Sequence, residues 1–166
     1  MSIRLIVTGG TFDKHYDELN GQLTFRDTHL PEIMGAARCT IPIEVEINQL
    51  VDSLDMGPED RFRVLDSCRK AGEERIIVTH GTDTMAETAQ VLGKAGMEKT
   101  VVLTGAMVPY AVQHSDAVFN FGFSVAAVQL LPAGVYVAMN GRVFAWDEVH
   151  KNRTEGRFEE RFEGRD

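Results

Sequence analysis

Short, unbroken apolar runs constrain this chain more than any other feature. They fall at residues 3–7, 75–79, 100–103 and 135–139, and within each run apolar residues follow one another with little alternation. A strand with one face in water alternates apolar and polar residues, whereas a strand buried on both faces reads as a continuous run. Stretches with helical character lie between the runs: residues 30–37, with Pro31 in the first turn, 59–71 behind Pro58, 84 to about 93, and 115 to about 130. In the second of these, Phe62, Val64, Leu65 and Cys68 form a buried stripe. A further strand is expected at Ile43, Val45 and Ile47, with Leu50 and Val51 continuing its apolar character. Thr84 and Glu87 have the T-x-x-E spacing of a capping box. Asn140-Gly141 predicts a hairpin turn into Val143 and Phe144. Strands alternating with helices predict βαβ units and a mainly parallel α/β sheet covered on both faces.

Length and charge narrow the function classes. The 166 residues suit one domain with a sizeable core. A net charge of -8 argues against general affinity for nucleic acid or an anionic membrane. Cys39 and Cys68 stand far apart, which does not suit a disulfide framework. The five histidines never take H-E-x-x-H spacing, so no metal is expected. The N-terminus starts a strand at once and lacks the apolar core of a signal peptide. No apolar run reaches membrane-spanning length, and a cytoplasmic protein is expected. The expected division is an α/β domain over residues 1–151 and a charged tail over 152–166. The tail holds Phe158 and Phe162 four apart, which suits either a short terminal helix docked through them or a partly ordered end.

The polar clusters share an address. T-G-G-T (8–11), D-S-L-D (52–55), H-G-T-D (80–83) and T-G-A-M (104–107) each follow a proposed strand, and D-E-V-H-K (147–151) follows the hairpin. In a doubly wound sheet, ligands bind outside the carboxyl ends of the strands. Each cluster alone is ordinary turn chemistry, but their coincidence at one edge predicts a site. Neither cysteine sits there and G-x-S-x-G is absent, so the available nucleophiles are threonine hydroxyls. A threonine needs a neighbouring base. Lys151 would serve if its amine were partly neutral, Asp83 would orient it, and Tyr16 would relay a proton to Thr11. Glycines 9, 10, 81 and 105 would let backbone N–H groups approach an oxyanion. The inventory suits acyl transfer without a metal. Phosphate binding is the competing use of the glycines, but G-x-G-x-x-G and G-K-[ST] are both missing.

Plainer readings compete residue by residue. Thr11 could cap a turn. Thr82 and Asp83 could cap a helix, although Thr84 with Glu87 already offers a cap and leaves Asp83 spare. His80 reads better as a hydrogen-bonded structural histidine than as a base. Lys151 is by default a solvated lysine. Ser53 with Asp55 suits capping of the next helix as well as it suits substrate binding.

T-G-G-T at 8–11, H-G-T-D-T-M at 80–85 and G-A-M-x-P at 105–109, in that order, resemble the bacterial type I/type II L-asparaginase (asparaginase/glutaminase) family. The likeness covers about residues 3–151, the part corresponding to that family's larger N-terminal domain. It implies a Rossmann-like three-layer sandwich and hydrolysis of L-asparagine to L-aspartate and ammonia through a covalent acyl-enzyme, without a cofactor. By position, Thr11 matches the nucleophilic threonine, and Thr82, Asp83 and Lys151 match the triad that handles protons and the attacking water. Ser53 matches the serine that binds the substrate's α-carboxylate. Asp83 would also face the α-ammonium. Gly10, Gly81, Thr82 and Ala106 would line the substrate, and Tyr16 is the candidate tyrosine of a mobile lid. The resemblance also implies a homo-oligomer, dimer or larger. Two departures stand out. Leu54 occupies the place of a substrate-contacting glutamine, and the second, C-terminal domain of typical members is not expected here. They leave room for an amino-acid-binding or regulatory relative with little turnover, or for a hydrolase of a different small amide.

Overall fold

The computed structural model describes residues 1–161. Its elements are β1 (Ile3–Gly9), β2 (His15–Asp17), β3 (Gln22–Thr24), α1 (Leu30–Ala36), β4 (Ile43–Val51), α2 (Pro58–Lys70), β5 (Arg75–Thr79), α3 (Met85–Lys94), β6 (Thr100–Thr104), α4 (Ala117–Leu130), β7 (Gly134–Met139), β8 (Arg142–Ala145), β9 (Val149–Asn152) and β10 (Arg157–Glu160). The main sheet runs β4-β1-β5-β6-β7-β8, parallel throughout except for the β7–β8 hairpin at one edge. The chain steps outward from β1 to β4, then returns to the other side of β1 with β5. Strand order therefore reverses between β1 and β5, and a crevice at the carboxyl ends opens at such a point.

The unbroken apolar runs are explained by two cores. Ile6, Ile76, Val78, Val101, Leu103, Val135 and Val137 point to one side of the sheet, where α2 and α3 cover them with Val64, Leu65, Cys68, Met85, Ala89 and Leu92. Their strand neighbours Leu5, Val7, Ile77, Val102 and Ala138 point to the other side, against α1 and α4. Side chains alternate between faces along a strand, so covering both faces requires apolar residues at successive positions. The strand β4 is the exception. It lies at the sheet's edge, and Val45 and Ile47 remain exposed there.

Several expectations needed correction. Phe62, read into the buried stripe of α2, is 60% exposed, while Val64, Leu65 and Cys68 are buried. Thr84 precedes α3, but its side chain makes no capping bond. Its hydroxyl donates instead to the Ser53 carbonyl at 2.8 Å, and Glu87 pairs with Arg61 at 2.8 Å. Both groups of the expected capping box are used across the fold rather than within the helix. Of the two readings offered for the tail, a short helix or a partly ordered end, neither describes residues 152–161, which form a hairpin with β9. The strand β10 pairs antiparallel with β9, setting Phe158 opposite Lys151. Phe158 is buried in the core that also holds Phe144 and Val149. A strand delivers that single phenylalanine to the core while its neighbours stay towards solvent. Phe162 lies outside the described residues. Strand β9 runs over Val149–Asn152.

Candidate active site

The turns after β1, β4, β5 and β6 interlock through their backbones. Gly10 has φ 80°, and a Cβ on it would run into the backbone of Gly81. A Cβ on Gly81 would in turn lie 2.5 Å from Ser53 Oγ. Gly10 N donates to Val51 O at 3.1 Å, and His80 N donates to Thr104 O at 2.9 Å. Four strand ends are thereby drawn into one backbone mesh. Thr11 and Thr82 each follow directly after the two glycines that touch.

Side chains fix the same mesh. Thr8 Oγ1 donates to Thr79 O at 2.8 Å, tying β1 to β5 where strand order reverses. Asp52 accepts from Leu54 N at 3.1 Å, shaping the 3-10 turn Ser53–Asp55 and burying Ser53. Lys14 reaches back to Asp52 at 2.6 Å, and that hydrogen bond holds the Asp52 carboxyl below its ordinary value. His80 is wholly buried. Its Nδ1 lies 2.7 Å from Gly81 O and its Nε2 2.8 Å from Thr88 Oγ1. A neutral ring that donates from Nδ1 and accepts at Nε2 satisfies both contacts. Burial lowers the His80 pKa to about 4, which keeps it in that form. His80 is a structural brace for the turn.

Lys151 is the group that converts this brace into a candidate for chemistry. From β9 its Nζ donates to Thr82 Oγ1 at 2.7 Å and to Asp83 Oδ1 at 2.8 Å. Thr82 is nearly buried, and the Lys151 side chain is only 10% exposed. Partners 69 and 68 residues away in sequence meet in one hydrogen-bonded triad. Lysine and aspartate satisfy each other, and the threonine hydroxyl can pass its own proton onward. Thr11 is part-exposed in the 3-10 turn Thr11–Asp13. Tyr16 lies on the β2–β3 hairpin, 58% exposed, opposite Leu23.

Ala106 is buried beyond Gly105, in a turn pinned by residues that sequence reasoning missed. Asp116 accepts from Met107 N at 3.0 Å, Val108 N at 3.0 Å, Asn120 Nδ2 at 2.9 Å and Asn140 Nδ2 at 3.1 Å. Burial pushes the Asp116 carboxyl up, but the bonds from Val108, Met107 and Asn140 outweigh it and leave the group below its ordinary value. Asn120 Nδ2 also donates to Gly105 O at 2.9 Å. The only sequence signals were an aspartate in the first turn of the helix expected from residue 115 and an asparagine in a hairpin turn. A separate cleft of about 1550 Å³, lined by Arg142, His150, Phe158 and Glu159 among others, excludes every residue of the triad. The strand-end cluster is the better candidate because its polar groups converge.

An α/β domain with hydroxyls, a lysine–aspartate pair and close-packed glycines at its switch point is the class that fold and site define. The chain matches the family described as Asparaginase, N-terminal, over residues 2–159. It is 28% identical over 165 residues to L-asparaginase 1 of Escherichia coli K12, covering 93% of this chain and 48% of that protein. It is 34% identical over 154 residues to a component of the glutamyl-tRNA(Gln) amidotransferase of Aeropyrum pernix, covering 84% and 35%. The thermostable L-asparaginase of Thermococcus kodakarensis superposes with a TM-score of 0.87 at 27% identity, over 96% of this chain and 51% of that one. This chain belongs to the asparaginase family, through that family's N-terminal domain. It spans about half the length, or less, of the relatives it matches.

Proposed function

We propose that the protein is an amidohydrolase that cleaves L-asparagine to L-aspartate and ammonia through a threonine acyl-enzyme. Family membership supports the reaction class, and the Lys151–Thr82–Asp83 triad is the observation that carries the reading. In this mechanism Thr11 Oγ attacks the side-chain amide carbon. Its proton passes to Tyr16 or a neighbour, and closure of the β2–β3 hairpin brings Tyr16 to the site. Backbone N–H groups of the glycine turns and the Ala106 turn stabilise the oxyanion. Ammonia leaves with a proton. A water then attacks the acyl carbon, giving its proton through Thr82 to a Lys151 amine that has just yielded one to the departing ammonia, and aspartate is released as Thr11 Oγ recovers its own proton. Ser53 holds the α-carboxylate, and Asp83 holds both the α-ammonium and Lys151. The chemistry uses side chains and backbone alone.

One observation favours a second reading. Leu54, beside Ser53, is 63% exposed and offers no polar contact to an α-ammonium. A hydrolase for a small amide with a simpler headgroup fits that surface. We further propose a cytoplasmic homo-oligomer, dimer or larger. The uncovered apolar residues Val45 and Ile47 on β4, and Val118, Phe119 and Leu130 on α4, support association. Light scattering of the purified chain tests it.

Ammonia release from asparagine, glutamine and simpler amides tests the function. Turnover of asparagine that is lost in both Thr11→Ala and Thr82→Ala is the expected result. Preference for a simpler amide selects the second reading. Tight aspartate binding with no ammonia from any amide overturns both, in favour of an amino-acid-binding protein.

A further inference from the structure

Asp13 lies two residues beyond Thr11, in the same 3-10 turn, and is wholly buried. Its Oδ1 accepts from Thr28 Oγ1 at 2.7 Å and from His29 N at 3.2 Å. Thr28 Oγ1 also accepts from Leu30 N at 3.2 Å, at the start of α1. One carboxylate oxygen therefore ties together the two ends of residues 14–28, the segment that holds the β2–β3 hairpin, beside the His15–Asp27 pair that also spans its base. Beyond that base the hairpin is open to solvent, with Tyr16, Leu19 and Leu23 exposed. Asp13 Oδ2 is buried with no partner, and Asp13 takes part in no ion pair among the described residues.

A neutral amide would close this loop at lower cost, because burying a carboxylate without a counter-charge is unfavourable. What a carboxyl adds is sensitivity to its own proton. We propose that Asp13 is a positioning residue for Thr11: it clasps the Thr11 turn to the start of α1, and its ionisation loosens the 14–28 segment. The protonated group is tolerated in its buried site. The ionised group gains hydration only when the segment opens and water reaches Oδ2. Consistent with this, burial raises the Asp13 pKa to about 6 against the opposing bonds from Thr28 and His29. If opening restores the ordinary 3.8, the open fraction grows about tenfold between pH 5 and pH 7.

Other titratable groups face the clasp. His15 pairs with Asp27 at 2.9 Å and stacks on His29 at 4.0 Å. Tyr110 lies 5.0 Å from the His29 ring and donates to Glu32 at 3.1 Å, while Lys14 is held by Asp52. Burial holds His29 below its ordinary value. His15 is therefore the group to control for.

The effect on turnover rests on the amidohydrolase reading, whereas the clasp itself does not. Amide hydrogen exchange of the full chain, corrected for intrinsic rates, separates the two. In the wild type, protection over 14–28 should fall about tenfold from pH 5 to pH 7 while β5 and β6 stay unchanged. The fall should persist in His15→Gln and vanish in Asp13→Asn, which keeps an acceptor for Thr28 and His29. Asp13→Ala should leave the segment unprotected at every pH. Should that variant not fold, Thr28→Val removes one donor and should give the same local loss. With a turned-over amide, Asp13→Ala should lower kcat about tenfold or more with a smaller change in KM, and Asp13→Asn should recover most of it. The clasp is overturned if Asp13→Asn keeps the wild-type pH response, if His15→Gln abolishes it, or if Thr28→Val and Asp13→Ala both leave protection intact. If wild type hydrolyses no amide while exchange behaves as expected, the functional reading fails and the clasp stands.

Discussion

A Cβ on Gly81 would lie 2.5 Å from Ser53 Oγ, so the position admits hydrogen alone unless the β4 turn moves. Gly81→Ala should cost about 1–3 kcal/mol of stability, read in urea denaturation, and remove activity by displacing Ser53 and Thr82 together. Lys151 tests the chemistry at the same scale. Lys151→Met keeps the length of the side chain but leaves Thr82 without its proton partner and Asp83 without its counter-charge. Turnover should fall roughly 100-fold or more, with the fold intact by circular dichroism. A loss smaller than tenfold would remove Lys151 from the mechanism. The residue types of the triad were legible in the sequence, and their order matched the family resemblance. That Lys151 meets Thr82 and Asp83 was not legible from spacing, because the hydrogen bonds span almost seventy residues. Thr84 misled for a related reason. Its spacing to Glu87 satisfied a local rule, but a hydroxyl bonds wherever an acceptor is nearest, and here that acceptor is Ser53 O.

At the scale of elements, the turn after β6 and the C-terminal hairpin are the informative pieces. Asp116 gathers two backbone N–H groups and two side-chain amides around the turn that holds Ala106. Asp116→Ala strands those donors and should destabilise the protein by about 3 kcal/mol, with weakened substrate binding as the functional trace. The hairpin of β9 and β10 holds Lys151 through its pairing with Phe158. Phe158→Ala should cost about 3–5 kcal/mol in denaturation, and truncation after residue 151 should lower activity by freeing the lysine. Full stability in the truncated chain would contradict this account. Helices and inner strands were readable from periodicity because both faces of each inner strand are buried. The terminal hairpin was not, since phenylalanines four apart suit a helix until the core is seen to admit Phe158.

Two buried groups oppose each other across the whole molecule. His80 titrates at about 4 in the fold against an ordinary 6.5. The unfolded chain therefore binds more protons, and His80's contribution to stability is lost as pH falls from 6.5 towards 4. Asp13 titrates at about 6 against 3.8, so the fold binds more protons there and stability is lost as pH rises from 3.8 through 6. The windows overlap and the signs differ, so from these two groups stability should change little between pH 4.5 and 5.5. Asp13→Asn leaves His80 unopposed. Its stability should then fall by about 1 kcal/mol per unit as pH drops through that range, measured by denaturant midpoint. A profile as flat as the wild type's would show that one of these groups is misjudged.

The sequence by itself determined the architecture and the inventory. Continuous apolar runs permit little besides a sheet covered on both faces, and hydroxyls, carboxylates and glycines recur after the strands because turns there must be tight and polar. Tertiary structure decided which of those groups meet. Strand order places β5 beside β1, so Gly10 touches Gly81, and Thr11 and Thr82 follow directly at two adjacent strand ends. It also decided which polar groups are braces rather than reagents: His80 between Gly81 and Thr88, and Asp116 beneath the Ala106 turn. Periodicity reports the face on which a residue lies. Hydrogen-bond partners depend on distances across strands far apart in sequence, and only the folded chain sets those.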